Sequence, residues 1–460
     1  MTERNFSECE EERVEAVLPK CVELDSLEEA KAKLERAHQQ QKCWRKFTMK
    51  ERAEALAELA QELRAKKAEL SRMIVLEMGK KISEAEEEIE KCAALAEYYA
   101  ENSDRILAVK PVKTKASESY VKFEPLGTVL AIMPWNFPFW QALRFALPAL
   151  MAGNSVVLKH AENVFGCSEK MFELFDSLKK APKGIFQSVH VKAPQVEEII
   201  ADPRIHFVAF TGSDATGALV ASMAGKHLKK TVMELGGSDA LIVLEDADVK
   251  RCAQEAFRAR LRNSGQTCTA PKRMIVHESA YDEFVSELQR LFSEVKVGSP
   301  WDENSDCTGL AKTEILQELD KMVGISAGMG AEVLAGGEIL SLEEKTYAPT
   351  LLTEVRPEMP VFTHETFGPV AAVLRAGSAE EAVDLANQSK YGLSASVWSE
   401  DVAKAKALIS KLEVGSVYIN SVTRSVPELP FGGVKRSGYG RELSAFGMRE
   451  FVNIKTVFVK

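Results

Sequence analysis

The amino-acid sequence predicts an α/β protein built on two blocks of mostly parallel sheet, each covered by helices. Three observations carry this reading. After Gly127, short apolar runs alternate with stretches of helical periodicity, as β-α-β units do. A second block of the same texture opens near Thr231. At 460 residues the chain also exceeds what one core organises, so two or three domains are expected.

Residues 26–104 read as helices. Ser26-Leu-Glu-Glu29 and Thr48-Met-Lys-Glu51 have the spacing of capping boxes. Leu56, Leu59, Leu63 and Leu70 recur at helical intervals, and the Glu and Lys among these helices are expected to form a solvated face. Residues 109–123 then alternate loosely between polar and apolar, as a hairpin does. In the first block, strands are expected at 128–133, 155–158, 184–190 and 207–210, with a helix from about Gln141. In the second, strands are expected at 240–244, 272–276, 371–374 and 394–398. Residues 451–460 alternate again and read as a terminal strand. No fixed-period repeat or low-complexity tract interrupts the pattern.

The composition narrows the function classes. Apolar residues make up 45% and charged residues 28%, ordinary for a globular chain. A net charge of -9 disfavours nonspecific binding to a polyanion such as nucleic acid. The eight cysteines include no C-x-x-C pair, which speaks against a zinc cluster, and no metal site is expected. The opening segment is acidic and shows no apolar signal stretch, so a cytoplasmic chain with reduced thiols is expected. No apolar run reaches the roughly 18 residues of a membrane span.

Five segments could carry chemistry. In Asn263-Ser-Gly-Gln-Thr-Cys268 a cysteine ends a small, polar, glycine-containing loop just before a strand. A thiolate there could attack a carbonyl, and its own N–H could stabilise the oxyanion. A buried structural cysteine fits the same local sequence. In Val232-Met-Glu234-Leu-Gly-Gly237 a carboxylate sits among apolar residues at a strand end. Burial would raise its pKa toward that of a general base, although a Glu bonded to nearby backbone would look alike. Phe210-Thr-Gly212-Ser213-Asp-Ala-Thr-Gly217 is a G-x-x-x-x-G turn that opens a helix and could cradle a phosphate. Lys159 and Glu162 follow a strand, where ligands of parallel sheets gather. Pro134-Trp135-Asn136-Phe-Pro138 is stiffened by two prolines, and the Asn136 amide could donate to an oxyanion.

Taken together these segments resemble the aldehyde dehydrogenase superfamily. The resemblance rests on Pro134–Pro138, Lys159-x-Ala-Glu162, Phe210-Thr-Gly-Ser213, Glu234-Leu-Gly-Gly237, Gly265-Gln-Thr-Cys268, Glu365-x-Phe367-Gly-Pro369, Pro430-Phe-Gly-Gly433 and Lys435-x-Ser-Gly438, in order over some 300 residues. It implies two Rossmann-like domains and a β-strand oligomerisation element. Residues 1–105 and 125–233 would bind the dinucleotide, with 419–444 returning to them. Residues 234–418 would form the catalytic domain, and 106–124 with 445–460 the bridging element of a homodimer or homotetramer.

The resemblance also implies roles. Cys268 would attack the aldehyde, Asn136 would hold the oxyanion, and Glu234 would activate the water that hydrolyses the thioester. Lys159 and Glu162 would bind the adenosine ribose, and Ser213 the pyrophosphate beside Trp135. Glu365 and Phe367 would position the nicotinamide ribose. Glu162 favours NAD, because a carboxylate repels the 2′-phosphate of NADP, though NADP use stays open. Arg144 and Arg262 match arginines that hold the distal carboxylate in succinate-semialdehyde dehydrogenases of the compact bacterial type, and Ser425 could add a hydroxyl. Ala270 stands where some of those enzymes carry a second, regulatory cysteine. Glutarate semialdehyde would suit the same arginines. The alternatives are a CoA-acylating enzyme and a non-catalytic homologue, and the pairing of Glu234 with Cys268 speaks against both.

Overall fold

The computed structural model describes residues 22–460. Cys9, Cys21 and the acidic opening segment lie outside the described residues. Both capping boxes form. Ser26 caps the helix Leu27–Trp44 and Thr48 caps Met49–Ala65, each in reciprocal bonds with a Glu three residues on. Leu56, Leu59, Leu63 and Leu70 are buried. The helices Lys67–Met78 and Ile82–Ile106 complete this layer.

The first sheet has six strands in the order Gly438–Tyr439, Lys230–Glu234, Ile205–Thr211, Thr128–Met133, Ser155–His160, Phe186–Ser188. All neighbours run parallel except Gly438–Tyr439. Every residue of Thr128–Met133 is buried, which explains its unbroken apolar run: a parallel strand is covered on both faces. The second sheet has seven strands, Glu332–Ala335, Thr350–Thr353, Val370–Ala376, Pro271–His277, Asp239–Val243, Ser394–Trp398 and Ser416–Ile419. It is parallel apart from the edge strand Glu332–Ala335.

A third, antiparallel sheet joins Lys110–Pro111, Glu118–Pro125 and Val452–Val459. Glu118–Pro125 and the terminal strand, paired from Glu118 with Val459 to Pro125 with Val452, thus match over their full length. Ile454 and Phe458 are exposed on it.

Three expectations need correction. The strand near Thr231 does not open the second block, because Lys230–Glu234 pairs with Ile205–Thr211 in the first sheet. The helix expected from about Gln141 starts at Pro138, whose fixed φ suits a first helical position, and all of Pro138–Met151 is buried. The solvated face of Glu and Lys is only partly solvated. Lys80, Glu84, Glu88 and Lys91 turn inward, and the three on the helix share one face at i, i+4 and i+7 spacing.

Glu88 anchors the site-bearing helix. One of its oxygens accepts the N–H groups of Phe139 and Trp140 at 2.9 Å each, filling donors that a helix start leaves unpaired. The other accepts from the buried Lys80 at 2.5 Å. Burial pushes the Lys80 ammonium down, and Glu88 opposes this. Glu88→Ala would strand Lys80 and two backbone donors. It should lower unfolding stability by about 3–5 kcal/mol, read from the urea midpoint, and an unshifted midpoint would show the network to be dispensable.

Candidate active site

Cys268 sits on a turn that ordinary backbone does not adopt. Asn263, Ser264 and Gly265 all have left-handed φ, at 53°, 51° and 76°. Two of the three are not glycine, so tertiary contacts must hold them there. Both Glu84 oxygens accept the Asn263 N–H, at 3.0 and 3.1 Å. The Ser264 hydroxyl donates to the Thr308 carbonyl and accepts the Thr308 N–H. Gly265 lies so close to the neighbouring loop that a Cβ would fall 2.1 Å from the Gly368 carbonyl oxygen. The buried Arg260 guanidinium ties both loops, donating to the carbonyls of Gly265, Thr366 and Gly368.

Beyond the turn, Lys272 fixes the nucleophile's backbone. Its ammonium donates to the carbonyls of Thr267 and Cys268, at 2.8 and 2.5 Å, and lies 3.1 Å from Glu365. Asn136 faces the same loop. Its amide donates to the Gln266 carbonyl at 3.1 Å, and its own carbonyl accepts from Asn263. One amide proton of Asn136 is thus used, and the second is available to an oxyanion. Burial pushes the Cys268 thiol up to about 12, with Lys272 and Arg144 pulling it back.

Glu234 ends the strand Lys230–Glu234, 3% exposed, with both carboxylate oxygens unpartnered among the described residues. Gly432 makes its room, since a Cβ there would fall 2.7 Å from a Glu234 oxygen. Burial raises the Glu234 pKa well above the usual carboxylate range, and nearby Glu442 raises it further, while Arg144 and Arg441 oppose. Glu442 is buried too and forms an ion pair with Arg144. A proton is therefore held readily on this pair of carboxylates.

A cleft of about 230 Å³ opens beside Cys268. Arg144, Arg262 and Ser425 line it together with Phe137, Trp140 and Phe431. Lys91 also lines it, and its ammonium lies 2.7 Å from the Ser425 hydroxyl. Arg262 stacks over the Phe137 ring and Arg144 over that of Phe431. The two arginines differ in one respect: Arg144 is charge-paired with Glu442, whereas Arg262 has no carboxylate within ion-pair distance among the described residues.

On the other side of Cys268 lies the edge of the first sheet. Lys159 is the last residue but one of the strand Ser155–His160, and the exposed Glu162 opens a short turn just after it. Burial lowers the Lys159 pKa and Glu162 opposes this. Both side-chain polar atoms of Asn163 are buried without a partner among the described residues. Ser213 caps the helix Asp214–Lys226. Gly217 follows on that helix, and a Cβ there would fall 2.3 Å from Leu235, so the glycine makes room for that side chain. Trp135 meets Phe367 edge to face at 5.8 Å. Glu365 is fixed by Lys272 and by the Gly237 N–H at 3.1 Å. A cation, a helix-start hydroxyl, an unpartnered amide, two aromatic rings and a carboxylate match the phosphates, hydroxyls and flat cationic ring of a nicotinamide dinucleotide.

The motifs marked Cys268, Glu234, Asn136, Arg144 and Arg262. They did not mark Lys91, Lys272, Glu442 or Arg260. Glu442 had a signal, since it follows the Lys435-x-Ser-Gly438 motif by four residues. Lys91 had none, lying in a run of Glu and Lys.

A cysteine at the seam of two parallel sheets, with a dinucleotide-suited edge on one side and a cationic cleft on the other, defines a class of α/β oxidoreductase. The chain belongs to the aldehyde dehydrogenase family, whose model matches residues 15–457. It is an enzyme of that family, using a nicotinamide cofactor. Among its relatives is succinate-semialdehyde dehydrogenase (NADP+) 1 of Mycobacterium tuberculosis, 43% identical over 437 residues, covering 94% of this chain and 95% of the relative. A probable succinate-semialdehyde dehydrogenase (NADP+) of Synechocystis is 43% identical over 431 residues, with the same coverage. The crystal structure of succinic semialdehyde dehydrogenase from Streptococcus pyogenes with NADP+ superposes with a TM-score of 0.93 at 36% identity, covering 96% of this chain and 97% of that one.

The raised thiol pKa has a direct consequence. Below its pKa, the thiolate fraction at Cys268 grows about tenfold per pH unit. Alkylation of Cys268 by iodoacetamide in the cofactor-free protein, followed by peptide mass spectrometry, should therefore keep accelerating from pH 7 to 9. Lys272→Met should slow it at each pH, because the strongest opposing charge is gone. A rate that levels off below pH 8 would contradict this electrostatic account.

Proposed function

We propose that this chain oxidises succinic semialdehyde to succinate. The observation that carries the reading is the cleft in which Cys268 shares a wall with Arg144 and Arg262. Cationic groups beside the reacting thiol suit an aldehyde with a distal carboxylate. The names of the relatives point the same way.

In the proposed reaction the Cys268 thiolate adds to the aldehyde carbon. The oxyanion takes hydrogen bonds from the Asn136 amide and the Cys268 N–H. A bound nicotinamide, held by the residues named below, would supply the hydride acceptor, and the oxidised adduct on Cys268 is a thioester. Glu234 takes a proton from water, which attacks the thioester and releases succinate and the thiol. The raised pKa of Glu234 suits a base that works near neutral pH. Lys159, Glu162 and Ser213 hold the adenosine and pyrophosphate end, and Trp135, Glu365 and Phe367 the nicotinamide end.

The domain roles follow. Residues 1–105 and 125–233, with 419–444, form the dinucleotide-binding domain, and 234–418 the catalytic domain. Residues 106–124 and 445–460 form the oligomerisation element of a homodimer or homotetramer in the cytoplasm. Exposed Ile454, Phe458 and Val459 on its sheet support pairing with another copy.

Absorbance of the reduced cofactor, with succinic semialdehyde and uncharged aldehydes, tests the reading. Cys268→Ala should abolish turnover. Glu234→Gln should keep a single burst of reduced cofactor but turn over slowly, because only the second half-reaction needs the base. Equal loss of the burst in both variants would remove Glu234 from deacylation. A rate that depends on added CoA would favour the acylating alternative.

Cofactor choice is a separate test. The relatives named above carry NADP+ in their names, against a preference for NAD. That preference rests on Glu162 alone, an exposed carboxylate beside Lys159. If it selects, Glu162→Ser should raise kcat/KM for NADP+ relative to NAD by about five- to tenfold, the size of one screened charge contact. An unmoved ratio would remove the ground for preferring NAD.

A further inference from the structure

We propose that Lys91 joins Arg144 and Arg262 in holding the substrate's distal carboxylate, which makes it a specificity-determining residue of this enzyme. The inference deepens the reading of a carboxylate-bearing aldehyde and rests on it.

The argument follows the counter-charges around the cleft. Arg144 is ion-paired with the buried Glu442, and its Nη2 is buried without a partner among the described residues. Arg424, at the rim, lies 3.6 Å from Glu255. Glu88, one turn before Lys91 on its helix, is fully engaged by Lys80 and the N–H groups of Phe139 and Trp140. Glu84 is engaged by the Asn263 N–H. Two cations remain without a carboxylate in ion-pair distance among the described residues, Lys91 and Arg262. Each rests on an aromatic face: the Lys91 ammonium lies 3.8 Å from the Trp140 ring centre and the Arg262 guanidinium 5.7 Å from that of Phe137. Such faces attract a cation without neutralising it. Lys91 meets only a neutral oxygen partner, the Ser425 hydroxyl at 2.7 Å. An ammonium has three N–H donors, so two remain for an incoming anion. A cleft with these two cations free of carboxylate partners and Cys268 on its wall is arranged to receive a carboxylate at one end of a substrate whose aldehyde meets the thiol.

This placement carries a pH signature. Burial together with Arg262 and Arg144 pulls the Lys91 ammonium down to about 7, against the opposing pull of Cys92 and Glu88. The groups facing it are Glu88 and Cys92 on its own helix, Arg144 on Pro138–Met151, Arg262 before the nucleophile loop, and Ser425 and Arg424 on the segment opposite. A semialdehyde's carboxylate stays ionised above pH 6. Its attraction to Lys91 is therefore strongest below pH 7 and fades as Lys91 deprotonates.

The test compares kcat/KM for succinic semialdehyde with that for butanal, an uncharged aldehyde of equal carbon count. Taking the ratio cancels the titration of Cys268 and Glu234. In the native enzyme the ratio should fall between pH 6.5 and 8.5. Lys91→Met should lower it about tenfold or more at pH 6.5, through KM for the semialdehyde, and flatten its pH dependence. Lys91→Arg, charged at every pH used, should keep a high ratio and lose the decline. A Lys91→Met enzyme that loses activity equally on both aldehydes would overturn the proposal, as would an unchanged ratio. So would a Lys91→Arg ratio that still declines, a readout that stands even if Lys91→Met fails to fold. A native enzyme with no preference for the semialdehyde would sink the proposed substrate as well. If Arg262→Ala lowers the ratio and Lys91→Met does not, the substrate stands and the role of Lys91 falls.

Discussion

The left-handed turn Asn263-Ser264-Gly265 is the constraint on which the rest of the site depends. It aims Cys268 into the seam and costs roughly 1 kcal/mol or more at each non-glycine residue. The offset comes from buried hydrogen bonds that reach several elements. Glu84 holds it from the helix Ile82–Ile106, Asn136 from the loop after Thr128–Met133, and Arg260 from the helix Val249–Leu261. Arg260 also holds the loop that carries Glu365 and Phe367. The nucleophile and the loop facing the nicotinamide end are thus positioned by one guanidinium. All three bonds run from one nitrogen, Nη2, so the two loops are drawn to a single point.

Charge and burial oppose each other throughout the site, and the balance differs by residue. For Cys268, burial dominates and the thiol stays protonated in the absence of ligands, although Lys272 and Arg144 both favour the thiolate. For Glu234, burial and Glu442 act in the same direction, so the carboxylate readily holds a proton. Arg144 is the link: it pairs with Glu442 and its charge reaches both Glu234 and Cys268. Removing it would change the nucleophile and the carboxylate pair together, so a loss of activity there would not by itself report substrate binding.

The sequence made the framework and the reacting pair legible because both leave local marks. Thr128–Met133 is apolar throughout because both its faces are covered. Cys268 and Glu234 stand a few residues from glycines that close packing demands, Gly265 against the Gly368 carbonyl and Gly237 against that of Cys268. Lys91 left no such mark. A Lys in a Glu-rich helix is usually solvated, and only the docking of that helix against Pro138–Met151 turns Glu84, Glu88 and Lys91 inward. Arg144 was visible as a cation, but its partner Glu442 lies 298 residues away, a pairing that no local pattern encodes. The close approach of Leu235 to Gly217 is likewise a packing demand that the G-x-x-x-x-G spacing does not show.

One short loop explains how a single thiol can be approached from two sides. Trp135, Asn136 and Phe137 are consecutive and lie in a bend, which separates Trp135 from Phe137 where an extended strand would put residues two apart on one face. Trp135 packs on Phe367, on the side of the first-sheet edge. Phe137 lies under Lys80 and Arg262, on the side of the cationic cleft. Asn136 falls between them, bonded to the turn that carries Cys268. Two prolines stiffen the loop, and Pro138 begins the buried helix whose first N–H groups Glu88 holds. The separation of a hydride acceptor on one side from a charged substrate on the other is therefore built into three adjacent residues. By holding the N–H groups of Phe139 and Trp140, Glu88 fixes where the helix after the loop starts and so anchors one end of the bend.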